Sequence, residues 1–491
     1  MAEPFDPVQK IRKLSGELVE RRRSIDKASD YYDGVHNLAF ASEKFREAFG
    51  GLFDAFADNW CGVVVDAVEE RLHVQGFRVD PETAAVDSKA SDVWKANELD
   101  LQATMGHADG LIAGAFFVTV WPDDDGKPEI TVESPRLTIV EHHPKQHRRR
   151  TAALRTWMDD DGYEHAELFT PEEVWLYRSR AKVGSIVDHG RRQWIPDPDA
   201  ATKTDAAGRM AHAFGTVPVV QFLNRPRLTR SRRAGWGAHS EIARIMPLQD
   251  AVNKLVADLL VTSEFAAFPQ RWLTGFEPEE IMDPETGEPT GRYKDPTFRS
   301  GPGVTWWTEE TEAKFGAFPV ADLKGLTDAV ELLVQHIASI SATPPHYLRA
   351  SADRLSGESI KSAESGLVAK VGRRAGQWGS RWAEVMHLAG VVGNIPELKN
   401  APDLTTVWGD WETRTESEHV DALSKKKDLG VPLEQLWEEA GYDPATVARF
   451  PAMRATEQLS GAASTAANAL RLATTEANRL ATGGLPTTPG A

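Results

Sequence analysis

The densest set of chemistry-bearing side chains is Glu141-His142-His143-Pro144-Lys145-Gln146-His147, three imidazoles and a carboxylate within seven residues. Imidazole and carboxylate bind divalent metals, but this spacing fits no zinc pattern. There is no His-Glu-x-x-His, and Pro144 prevents a regular helix from carrying the set on one face. The segment reads as a solvated turn with no metal. The carboxylate pairs Glu279-Glu280 and Glu309-Glu310 are adjacent in sequence, so on a strand their side chains point to opposite faces and form no acid–base pair. His107 and Asp109 could belong to a triad, yet no Gly-x-Ser-x-Gly elbow accompanies them, and no Gly-rich phosphate loop occurs. The 15 tryptophans could stack on sugars in a glycosidase. Most fall on apolar stripes, where core or subunit contacts explain them. The basic run Arg225, Arg227, Arg230, Arg232 and Arg233 offers five guanidinium groups, either to DNA phosphates or to carboxylates of a neighbouring subunit. No catalytic constellation and no cofactor site emerges.

The elements that would position these groups follow from composition and periodicity. The 491 residues suggest about three domains. Lys plus Arg number 56 against 73 Asp plus Glu, a net charge of -17, which argues against tight nucleic-acid binding because phosphate contacts need clustered cations. Cys61 is the single cysteine, so no intramolecular disulfide forms and a reducing compartment is expected. The start MAEPFDPVQK lacks a signal-peptide pattern. The longest apolar stretch, 251–268, is interrupted by Asn253, Lys254, Asp258 and Glu264, so no membrane span is expected.

Asp6-Pro7 predicts a helix start, and Val8, Ile11, Leu14, Leu18 and Ile25 continue it to a stop at Gly34. Phe45, Phe49, Phe53, Phe56 and Trp60 form an aromatic stripe expected to be buried. Val64, Val65, Val68 and Leu72 run on to a break at Gly76. Residues 116–121 and 129–133 flank Asp-Asp-Asp-Gly-Lys as a hairpin, with strands near 138–141, 154–158, 174–178 and 217–222. Residues 110–223 are thus an α+β body without βαβ crossovers. From Glu241 an apolar stripe predicts a helix that Pro247 either kinks or starts. Residues 269–318 are rich in Pro and Gly, with ten acidic and five basic side chains. A second amphipathic helix spans 320–341, and Thr343-Pro344-Pro345 ends it. A long helix over 358–389 carries Gly366, Gly372, Gly376 and Gly379, which weaken or bend it. Two shorter helices fill 415–448, and the Ala- and Thr-rich end is expected to fray before Gly483.

In this order the pieces resemble the portal proteins of tailed bacteriophages, the head-to-tail connectors. The resemblance runs from Tyr31-Tyr32-Asp33-Gly34-Val35-His36 to about Phe450. It takes in 59–77 (NWCGVVVDAVEERLHVQGF), Val217-Pro218-Val219-Val220, Gly235-Trp236-Gly237 and Leu248-Gln249-Asp250-Ala251-Val252-Asn253-Lys254. It continues through Thr343-Pro344-Pro345 and Ser356-Gly357-Glu358 into the Trp-bearing helix. Each piece alone is weak; their order and spacing carry the likeness.

The resemblance implies a mainly helical α+β subunit. Residues 1–240 would form most of the wing, 241–266 and 320–342 the paired stem helices, and 267–319 the clip. Residues 343–409 would hold the tunnel loop and long wing helix, 410–454 the crown, and 455–491 a flexible tail. It further implies a non-enzymatic ring of about twelve copies around a channel for double-stranded DNA at one capsid vertex. Its partners would be the terminase large subunit, a head–tail adaptor, and the major capsid and scaffolding proteins. The ring would assemble in the host bacterial cytoplasm and reside in the virion. His346, Arg349, Asp353 and Arg354 of the loop would face DNA, and Glu277, Glu279, Glu280, Asp283 and Glu285 of the clip would meet terminase and adaptor. An acidic wall suits DNA that must pass without sticking. The rival readings are a minor capsid or head-completion protein without a channel, and a hydrolase built on the acidic segment.

Overall fold

The computed structural model describes residues 5–35, 58–79, 87–182, 192–227, 237–267, 271–275, 280–293, 311–318, 322–348, 357–401, 403–411, 416–442 and 444–482. Asp6 sets the first element: its Oδ1 accepts from the amides of Val8 and Gln9 at 2.9 and 3.1 Å, and Pro7 stands where no donor is needed. Helix α1 (Pro7–Asp33) therefore begins where the sequence predicts, and it ends at Gly34, whose φ of 73° is the left-handed conformation of a helix stop. Asn59 caps α2 (Trp60–Glu69) in the same manner. The pattern expected to carry this helix to Gly76 instead divides. Helix α2 stops at Glu69, and Gly76 lies inside strand β1 (Val74–Arg78). Leu72, Val74 and Phe77 are buried, but Val74 and Phe77 reach the core as strand residues. Of the aromatic stripe, Trp60 packs half-buried against the main core. Phe45, Phe49, Phe53 and Phe56 lie outside the described residues.

Helices α3 (Ser88–Ala96) and α4 (Leu99–Ala113) lead into an antiparallel body. Its strands are β2 (Ala115–Pro122), β3 (Pro128–Glu133), β4 (Thr138–His142), β5 (Arg150–Met158), β6 (Glu164–Phe169), β7 (Glu173–Ser179), β8 (Trp194–Pro196), β9 (Arg209–Ala211) and β10 (Val219–Leu223). One sheet runs β10-β2-β3; the other runs β4-β5-β6-β7-β8, with β9 also beside β7. Strand alternation divides the larger sheet between two cores. Ala152, Leu154, Ala166 and Leu168 pack on Ile11, Leu14 and Leu18 of α1. Ala153, Phe169 and Val174 pack the other way, with Phe117, Val217 and Val219. Buried Arg21 fixes α1 to the sheet edge: its Nη2 donates to the Thr138 carbonyl at 2.6 Å, and burial pulls its pKa down to about 9. The strands of this body follow one another in antiparallel pairs, with no α-helix between them among the described residues, giving an α+β fold.

Helix α5 (Met246–Ala267) starts at the Pro247 step, so the proline marks a beginning and not a kink. Strands β11 (Arg271–Thr274), β12 (Glu280–Met282), β13 (Pro289–Tyr293) and β14 (Lys314–Ala317) precede α6 (Lys324–Ser341). Helix α7 (Gly357–Val392) has 36 residues and is about 54 Å long. Its glycines do not interrupt it. Gly379 instead permits a close approach, since a Cβ there would sit 2.9 Å from Trp408 Nε1. After α8 (Pro396–Lys399), strand β15 (Thr405–Trp408) returns to pair with β1. Helices α9 (Glu416–Asp428), α10 (Leu433–Glu439) and α11 (Pro444–Thr482) complete the chain. Helix α11 runs through the Ala- and Thr-rich stretch as far as Thr482, just short of the Gly483 where fraying was expected, since alanine is the strongest helix former.

The main core gathers on one face of α7. Trp378 and Trp382, four residues apart, are fully buried. Trp382 Nε1 donates to His107 Nε2 at 3.0 Å, which leaves His107 Nδ1 protonated to donate to the Leu72 carbonyl at 3.1 Å. His107 stacks on Trp378 at 5.1 Å. Burial pushes its pKa down to about 3, so the ring is neutral and is a core residue, not a catalytic base. An unfolded imidazole takes a proton below about pH 6.5 that the folded one refuses. Stability is therefore expected to fall as pH drops from about 6.5 towards 3. A His107→Leu variant should be less stable at pH 7 by about 1–3 kcal/mol yet show a flatter decline of its urea midpoint between pH 7 and pH 5.

Candidate functional site

Two packed helices, α5 leaving the body and α6 returning to it, define the most functionally suggestive part of the chain. Between them lies the Pro- and Gly-rich insert. Strand β11 pairs with β14 from Arg271↔Ala317 to Thr274↔Lys314, which closes the insert near the ends of the helices. Gly316 is required there, since a Cβ would overlap the Trp272 ring. Strands β12 and β13 form a hairpin farther out. Within it Glu280 Oε1 accepts from the Gly291 amide at 2.9 Å, and Asp283 Oδ1 from the Glu285 amide at 2.8 Å. Glu280 thus bridges the two strands, and Asp283 holds the turn between them. The Glu285 side chain is exposed. Glu277 and Glu279 lie outside the described residues.

At the other end of the pair, buried polar groups join both helices to α7. Glu241, just before α5, is 4% exposed. Its Oε2 accepts from Arg374 Nη2 at 2.8 Å, and its Oε1 lies 3.6 Å from Lys370 Nζ. Burial alone would raise its pKa, but Lys370 and Arg374 outweigh this and hold it below the ordinary carboxylate value. Lys370 is lowered by burial, with Glu241 opposing. The same ammonium donates to the Ser341 carbonyl at 2.7 Å, the last residue of α6, where a cation also complements the helix dipole. One lysine of α7 thus holds the entry to α5 and the exit of α6. Six residues earlier, Glu364 faces Arg71 and His346, each at 3.6 Å. Arg71 also donates to the Tyr347 hydroxyl at 2.6 Å. The first turns of α5 are pinned by amides: Gln249 Oε1 accepts from the Trp60 amide at 2.9 Å, and Asn253 Oδ1 from the Asp58 amide at 3.1 Å. Tyr31 donates to Asp250 at 2.6 Å.

The residues singled out in the sequence are distributed unevenly over this arrangement. His346 sits in a short turn (Pro345–Tyr347) against Glu364, and the adjoining Leu348 enters the main core. Arg349, Asp353 and Arg354 lie outside the described residues. Arg225, at a φ of 50°, is half-buried. Burial lowers its pKa, while the Glu241 carboxylate of its own chain raises it. Arg227 is exposed, and Arg230, Arg232 and Arg233 lie outside the described residues. In the histidine-rich segment Glu141 is occupied by Lys10, Lys13 and Thr151. His143 Nδ1 accepts from the amides of Lys145 and Gln146 at 3.2 and 3.1 Å, closing a turn. Among the described residues no group of three or more His, Cys, Asp or Glu side chains is placed to hold a metal. Sequence reading missed Glu241, Glu364, Lys370 and Arg374. The signal was present as charges at 370 and 374 continuing, in steps of four, the stripe of Trp378 and Trp382.

Comparison with known proteins agrees in extent with these elements. Residues 11–449 match the family described as phage portal protein, SPP1 Gp6-like. The portal protein of Mycobacterium phage D29 is 32% identical over 402 residues, covering 78% of this chain and 75% of the relative. The portal protein of Mycobacterium phage L5 is 31% identical over 400 residues, covering 77% and 74%. A solved structure of the neck of a native gene transfer agent particle, computed with C12 symmetry, has a TM-score of 0.41 at 13% identity, covering 77% of this chain and 89% of that one. The virion of the native gene transfer agent particle gives 0.39 at 13%, covering 77% and 83%. With two relatives above 30% identity and a family match over nearly its whole length, the chain belongs to the SPP1 Gp6-like family of phage portal proteins.

Proposed function

We propose that this portal-family chain assembles head to tail into a ring of about twelve copies, at one vertex of the virion capsid, around a channel for double-stranded DNA. Portal proteins are structural and not enzymatic. In this reading α5 and α6 are the stem, residues 267–319 the clip, 343–409 the tunnel loop and long wing helix, and 410–454 the crown, with α11 extending from it. Most of 1–240 is wing. The clip docks the terminase large subunit during packaging and a head–tail adaptor afterwards. Capsid and scaffolding proteins surround the ring as it assembles in the host cytoplasm. The observation that carries the proposal is the helix pair. It is held at one end by buried ionic groups of the body, yet Leu260, Leu332 and Ile340 remain 46%, 52% and 47% exposed. A soluble chain seldom leaves such side chains uncovered along two adjacent helices, and neighbouring copies would cover them. The acidic insert supports docking over hydrolysis, since Glu280 is already bonded across the hairpin strands and Asp283 to the turn between them.

Light scattering of the purified chain is expected to give about 650 kDa, about twelve times 54.1 kDa; a monomer at all concentrations contradicts the proposal. Removing residues 350–355 should leave that mass unchanged and reduce DNA packaging in vitro, whereas loss of rings would place the loop elsewhere. Replacing Lys370 by Met leaves the Ser341 carbonyl and part of the Glu241 charge without a partner. The expected cost is about 3 kcal/mol in a urea titration, with ring yield falling in parallel. Changing Arg227, Arg230, Arg232 and Arg233 together to Ala separates the two readings of that cluster. Lost assembly assigns them to the subunit contact, and intact rings with altered packaging assign them to DNA.

A further inference from the structure

Strand β5 carries opposite charges at its two ends. The turn 143–149 before it presents Lys145, His147, Arg148 and Arg149, all exposed. It is stiffened by His143 and Arg149, whose amide and carbonyl meet at 2.8 Å. The carboxylates close to this turn are already taken. Glu141 is held by Lys10 and Lys13, and Glu384 pairs with Arg150 at 2.7 Å and Arg381 at 2.9 Å. Lys145, Arg148 and Arg149 have no ion pair among the described residues. Burial first, then Arg150 and Arg381, push the neighbouring His142 pKa down, with Glu384 opposing. At the far end of β5, nine residues or about 30 Å away, the turn 159–163 presents Asp160 and Asp161, both exposed. That turn is also rigid, with the Asp159 amide on the Tyr163 carbonyl at 3.0 Å. Asp160 has no ion pair among the described residues. Among the described residues Asp161 has only Lys182 at 3.8 Å, both side chains largely in solvent, a pair worth little and readily exchanged.

We propose that the basic turn of one copy docks on the acidic turn of the adjacent copy, with Arg148 and Arg149 facing Asp160 and Asp161. The inference rests on the ring reading above and names a contact within it. The two turns cannot meet inside one chain, because the sheet holds them at opposite ends. A closed ring is built from heterologous contacts, in which two different patches meet, and these patches are complementary in charge. Copies that each carry -17 repel one another, so a local excess of cations aimed at exposed carboxylates lowers that repulsion where they touch.

The test uses full-length protein and sedimentation velocity, with circular dichroism to verify folding. The double variants Arg148→Glu/Arg149→Glu and Asp160→Arg/Asp161→Arg should each raise the concentration needed for rings by about tenfold or more, and the four changes together should restore it to within about threefold of wild type. Arg148→Gln/Arg149→Gln, which removes charge without adding repulsion, should shift assembly less in the same direction and serves if a reversal variant misfolds. Double variants that assemble like wild type overturn the proposal. So does a fourfold variant no better than either double, or normal rings that have lost only DNA affinity. Failure of the wild-type chain to form rings overturns the ring reading itself and is distinguishable from these.

Discussion

The structure turns on the burial of Glu241. Removing a carboxylate from water costs several kcal/mol, and only close cations with good geometry offset this. Arg374 at 2.8 Å and Lys370 at 3.6 Å meet that demand, both from α7. Because Lys370 also donates to the end of α6, the start and finish of the 100-residue excursion through the paired helices, roughly residues 241–341, are fixed at one level of one long helix. Lower on the same stripe the polar groups give way to Trp378 and Trp382, which fill the junction between α4, β2 and β10. A single helix face thus serves as the joint between the helix pair and the α+β body.

This arrangement suits a part that must hold its shape while DNA moves past it. The body is cross-linked over long sequence separations. Strand β1 pairs with β15, α1 covers the larger sheet, and buried amides of α5 clamp the start of α2. Among the described residues, the insert at the far end of the helix pair consists of short strands and turns. The net charge of -17 argues against tight binding of DNA.

Much of this was legible in the sequence because local chemistry decides it. Asp6-Pro7, the hairpin at 122–128 and the stripes of α5, α6 and α7 depend on caps, turns and apolar period, and each formed near its expected place. Gly76 is expected from the sequence to end a helix but lies inside β1, because the partner that makes 74–78 a strand, β15, is more than 300 residues away. The buried ionic groups were hidden for a different reason. Lys370 and Arg374 look like solvated side chains until Glu241, more than a hundred residues earlier, is brought against them. The histidine-rich segment has ligand chemistry in its sequence, but His143 closes a turn and Glu141 is taken by Lys10 and Lys13.

Class-averaged electron microscopy of the purified full-length chain tests the central claim most directly. The account predicts closed rings of about twelve copies with a central hole, narrowing to a stalk formed by the paired helices. Monomers, open filaments, or compact oligomers without a hole would contradict it.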